Sequence, residues 1–101
     1  MKKNAQFYMA NLGSEVQRIF RWKKLGDEKE TKSAVERALK IIETLLSLPE
    51  VKGREGEVFI LKDIISDYAL PERKFKISEN HLTSYFMPFA LNVISRSLNN
   101  S

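Results

Sequence analysis

Glu57-Val58-Phe59-Ile60-Leu61-Lys62-Asp63-Ile64-Ile65-Ser66-Asp67-Tyr68-Ala69 is the stretch on which the fold class turns. Its first apolar run, Val58 to Leu61, reads either as a buried strand or as the start of a helix. Over the whole stretch, Val58, Leu61, Ile65, Tyr68 and Ala69 fall on one helical face with Ile64 at its edge, which favours the helix. A lone strand would also leave its backbone groups without partners, because no second strand pattern occurs elsewhere in the chain. The stretch is therefore predicted as helix three of an all-α protein.

Upstream of it, Asn4 to Leu25 carries Ala5, Met9, Leu12, Val16, Ile19 and Phe20 on one arc, the pattern of an amphipathic first helix. Gly26 suits the position just past a helix end, and Asp27 with Glu30 three residues on suits the start of the next. Helix two is expected to run to about Leu48. Its apolar side comprises Val35, Leu39, Ile42 and Leu46 beside Ala34, Ala38, Ile41, Leu45 and Leu48, broad enough for two neighbours. The opposite side is charged, and Glu28/Lys32, Lys32/Glu36 and Glu36/Lys40 are spaced for i,i+4 ion pairs on a solvated surface. Pro49 closes this helix, and Lys52 to Glu55 with Gly53 and Gly56 reads as a polar connection.

Downstream, Leu70-Pro71 breaks helix three, and Ser78 is the expected N-cap of a last helix with Leu82, Tyr85, Phe86, Phe89, Ala90 and Val93 on one arc. Pro88 should kink or break that helix. The expectation is an antiparallel up-and-down four-helix bundle, a single domain over residues 1–101.

Composition supports one globular core. The chain has 101 residues, 43% hydrophobic and 30% charged, with 4 Gly, 3 Pro and no Cys. Without cysteine there are no disulfides, thiolate metal sites or thiol nucleophiles. No apolar h-region follows Met1-Lys2-Lys3, and no run approaches the roughly 20 apolar residues of a membrane span, so a cytoplasmic protein is expected.

No motif for bond chemistry stands out, and neither a cofactor nor a metal is expected. His81 is the only histidine, with Glu79 and Ser84 near it in sequence but nothing to orient its ring. Gly53 and Gly56 lie beside Lys52 and Arg54 without the phosphate-loop spacing. The HEPN ribonucleases are small helical bundles with an Arg a few residues ahead of a His on one helix. Here Arg73 stands too far before His81 and Lys76 is not Arg, so the likeness is one of fold class alone and implies no activity.

Two surface features carry the functional expectations. Arg18-Ile19-Phe20-Arg21-Trp22-Lys23-Lys24 holds four cations, no acid and the one tryptophan. Arg18 and Trp22 are i,i+4 neighbours, which permits stacking, and Arg21 and Lys24 extend the charge, so Arg18, Arg21, Trp22 and Lys24 are candidates for an anion or single-stranded RNA. The alternative is that Trp22 caps the core edge while the cationic heads reach solvent. On the last helix, Met87, Leu91, Ile94 and Leu98 form a second apolar stripe opposite Phe86, Phe89 and Val93. Such a stripe marks a homodimer or protein-partner interface, unless the bend at Pro88 turns it inward. A non-catalytic interaction module is the leading expectation, and a small RNA- or nucleotide-binding protein is the competing one.

Overall fold

The computed structural model describes residues 4–70 and 78–88. Among these the protein is all-α, with no strand. Helix α1 spans Ala5–Leu25, α2 Glu28–Ser47 and α3 Glu55–Asp67, with a short 3-10 turn at Pro49–Val51; residues 79–88 form α4.

The ends of α1 and α2 follow from their flanking residues. Asn4 accepts the Phe7 N–H at 3.0 Å, satisfying one of the donors that a helix start leaves unpaired. Gly26 closes α1 with φ 74°, a left-handed conformation that glycine adopts without a side-chain penalty. Its N–H reaches the Lys23 carbonyl, and the Asp27 N–H reaches the Trp22 carbonyl. Asp27 then starts α2 by accepting the Glu30 N–H at 3.0 Å. A two-residue turn thus finishes one helix and begins the next, and α1 and α2 pack along each other as a hairpin.

The core is what the helical periods imply. Met9, Leu12, Val16, Ile19 and Phe20 of α1 are buried against Ala34, Val35, Ala38, Ile42 and Leu45 of α2 and Val58, Leu61, Ile64, Ile65 and Tyr68 of the α3 region. Leu39, Ile41, Leu46 and Leu48, on the flanks of the broad apolar side of α2, are half-buried and pack on that core. From α4 come Leu82 and Phe86, while Ser78 accepts the His81 N–H at 3.1 Å as the cap of the helix.

Three details differ from expectation. First, α3 begins at Glu55 rather than Glu57, so Glu55 and Gly56 belong to the helix and not to the connection before it. Glu55 and Glu57 then fall in the first turn, where the helix dipole favours negative charge. Second, Glu28/Lys32, Lys32/Glu36 and Glu36/Lys40 do not close into ion pairs. The pairs among the described residues are Glu15–Arg18, Glu15–Arg37 and Arg54–Glu57. Long solvated side chains gain too little from one fixed geometry to offset the lost freedom. Third, Gly13 and Glu15 are buried, although the first-helix arc included neither. The Pro88 bend lies outside the described residues, because Pro88 is the last of them.

Gly13 is where α4 meets α1. A Cβ added at Gly13 would lie 2.8 Å from Phe86 Cβ and 3.0 Å from its Cγ, closer than carbon atoms pack. Overpacking of this kind costs about 1–3 kcal/mol, against about 0.8–1 kcal/mol of helix propensity regained by alanine. Gly13→Ala is therefore expected to lower stability by on the order of 1 kcal/mol, read as a fall of a few degrees in the thermal midpoint; an unchanged or raised midpoint would show that the helices do not meet this closely.

Candidate functional site

The basic segment of α1 is divided by the fold. Lys23 turns away from the others: its Nζ donates to the Tyr68 carbonyl at 2.9 Å and to the Leu70 carbonyl at 3.4 Å, capping the end of α3. Arg18 turns toward α2. Its Nη1 donates to Glu15 Oε1 at 2.7 Å, and from the other helix Arg37 Nε donates to Glu15 Oε2 at 3.0 Å. Glu15 is only 8% exposed and is the one acidic residue of α1. Its two oxygens are shared between two guanidinium groups that remain about half exposed.

Arg18 therefore pairs with Glu15 rather than stacking on Trp22. Trp22 is half-buried and packs against the core, as the alternative reading of that residue anticipated. Arg21 and Lys24 are exposed, with no hydrogen bond or ion pair among the described residues. At 100° per residue, Lys24 lies about 120° around α1 from Arg18, so the four candidates wrap the outside of the helix instead of forming one spot. Glu15 and Arg37 were not among the candidates. An i,i+3 spacing between Glu15 and Arg18 was visible, but the partnership with Arg37 depends on how α1 and α2 align.

The apolar candidates are described only in part. Met87 is 47% exposed on α4, opposite the side that buries Leu82 and Phe86. Leu91, Ile94 and Leu98 lie outside the described residues. Two further exposed apolar side chains, Phe59 at 50% and Ile60 at 62%, stand on the outer side of α3. Once the Val58 to Leu61 run is helical, its middle two residues must face away from Val58 and Leu61, a consequence the periodicity already contained.

His81 is exposed, and the group at its ring is Ser78, whose Oγ lies 2.9 Å from Nδ1. That hydroxyl is also the cap of α4. Elsewhere, Arg54, Glu57 and Tyr85 cluster where α4 meets α3. Arg54 Nη2 is 3.3 Å from Glu57 Oε2, and the Tyr85 hydroxyl donates to Glu57 Oε1. A cleft of about 310 Å³ lies where the α1–α2 turn meets the end of α3, with Lys23, Asp27, Glu28 and Lys32 among its lining. Its charges are mixed, so it favours neither sign of ligand. No group of metal-ligating side chains occurs among the described residues, and no helix there is long and apolar enough to cross a membrane.

In comparisons with known proteins the chain matches no family model, no curated protein and no solved structure.

Burial and the neighbouring Glu57 carboxylate hold the Tyr85 phenol protonated well above its ordinary value of 10.0, with Arg54 opposing weakly. Because ionisation is harder in the folded state, the contact stabilises fully below pH 10 and less as pH rises beyond it. Tyr85→Phe should therefore lose stability relative to the wild type at neutral pH, and urea titrations should show the gap narrowing above about pH 10. A gap that is independent of pH would mean that the folded phenol is neither buried nor bonded to Glu57.

Proposed function

We propose that this is a cytoplasmic, non-catalytic interaction module, an up-and-down helical bundle that self-associates through its C-terminal helix. The observation that supports this reading is α4 itself. Leu82 and Phe86 are already buried on one side, yet Met87 on the other side is half exposed. The sequence continues that second side through Leu91, Ile94 and Leu98. Apolar area left in water forgoes about 25 cal/mol per Å², and a second copy presenting the same stripe recovers it symmetrically.

Sedimentation equilibrium tests this directly. The wild type should be a dimer at micromolar concentration, and both Met87→Glu and Leu91→Glu should yield monomers. Met87 stands on the surface, so that variant should keep its helical circular dichroism. A monomeric wild type, or a dimer indifferent to both changes, would remove the reading.

A second reading is favoured by a separate observation, the lack of exposed negative charge on α1. Its one acid, Glu15, is covered by guanidinium groups, while Arg21 and Lys24 stand free in solvent. Such a surface suits the phosphate backbone of single-stranded RNA, with Trp22 beside it as an aromatic edge. Retention of a labelled single-stranded RNA should fall steeply with salt and disappear in the Arg18→Ala, Arg21→Ala double variant. Retention that is indifferent to salt would exclude backbone binding.

A further inference from the structure

We propose that Arg18 and Arg37, held by the shared, buried carboxylate of Glu15, form a phosphate clamp across the α1–α2 seam, and that Glu15 is its positioning residue. The proposal rests on the anion-binding reading above and names the atoms that would carry it.

Neutralising one carboxylate requires one cation, yet Glu15 has two. Arg18 comes from its own helix and Arg37 from the facing one. The pair leaves an excess positive charge at a place where the negative partner is itself withdrawn from solvent. A guanidinium has five N–H donors in a rigid planar fork. Each arginine spends one on Glu15 and neither has another protein partner among the described residues, so most of both forks remain available. The two forks flank one carboxylate, each a single hydrogen bond from it, which brings their remaining donors together at the seam. Because Glu15 fixes both side chains beforehand, ligand binding does not have to order them.

One further cation stands near the clamp on each helix. Arg21 is one turn from Arg18 on α1, and Lys40 is one turn from Arg37 on α2. Since the two helices run as a hairpin, Arg21 lies toward the α1–α2 turn from the clamp and Lys40 away from it, with the exposed acids Glu36 and Glu43 each one turn from Lys40. Both Arg21 and Lys40 are exposed. A fixed central pair with Arg21 one turn away on the acid-free face of α1 suits a further phosphate of single-stranded RNA. Half-buried Trp22, one turn from Arg18, provides the optical reporter.

The test is a titration of Trp22 fluorescence, with calorimetry alongside, using inorganic phosphate in one arm and a short oligouridylate in the other. Arg37→Ala should weaken binding of either probe by about tenfold or more, while Arg54→Ala, on a distant pair, should leave it near the wild-type value. Arg37→Ala leaves Glu15 paired with Arg18, so the thermal midpoint should confirm a retained fold. Glu15→Gln is the decisive variant. It removes a negative charge, so binding by charge alone should tighten, whereas a clamp should weaken because the amide puts an NH2 donor where one of the two arginines finds an acceptor. Tightening in Glu15→Gln, or equal effects of Arg37→Ala and Arg54→Ala, overturns the clamp even if RNA still binds. Phosphate binding that follows these variants without any oligouridylate binding keeps the clamp and removes the RNA reading. Failure of both probes on the wild type overturns both.

Discussion

The approach of α4 to α1 depends on a missing side chain. At Gly13 the Phe86 Cβ and ring sit where a methyl group would have to be, and this contact seats α4 on α1 with Leu82 and Phe86 buried. Around it the rest of the core is ordinary close packing, with Leu12, Val16, Ile19, Ile42, Leu45 and Ile65 almost wholly withdrawn from water. Near the seat of Phe86, Gln17 of α1 donates to the Thr83 hydroxyl at 2.8 Å, and Tyr85 reaches Glu57 on α3. The same seating turns Met87 outward, so the half-exposed apolar residue of α4 is a geometric consequence of where Phe86 is held.

Glu15 imposes the second constraint. A carboxylate this deeply placed is tolerated only if charge and hydrogen bonding compensate it. Compensation from both helices fixes the pairing of α1 with α2 as well as the direction of the two arginines. Elsewhere on α1 the basic side chains are treated differently. Lys23 is absorbed into the end of α3, while Arg21 and Lys24 have solvent around them. A basic segment that looks uniform in sequence is thus resolved into a structural lysine, a shared arginine and free charges.

Most of the architecture was legible because it follows from local rules. Gly26, Asp27 and Ser78 act at helix ends through side-chain or backbone geometry that each residue type carries with it. The burial of Leu12, Val16 and Ile19 follows from spacing, and so do Val58, Leu61 and Ile65. What escaped were properties created between helices. Gly13 could be weighed as a helix-weakening residue but not as the seat of Phe86, since that needs the position of α4. Glu15 looked like any charged residue, because its burial depends on Arg37 arriving from α2. The candidate site was legible to a similar degree: Arg18 and Trp22 were located by their spacing, whereas their separation, one toward a carboxylate and the other into the core edge, was decided by packing.

The Lys23 contact has a consequence for how the molecule opens. The last turn of a helix normally frays by itself, because its carbonyls lack partners within the helix. Here the carbonyls of Tyr68 and Leu70, at and just beyond the end of α3, are held by an ammonium group that belongs to α1, while at the other end of α1 the Ala5 N–H is held by Glu50 of the 3-10 turn. Both ends of α1 are tied to segments flanking α3. Local opening of the α3 terminus must break a bond to α1, which makes these segments part of one cooperative unit in amide exchange and ties the end of α3 to the integrity of the first helix.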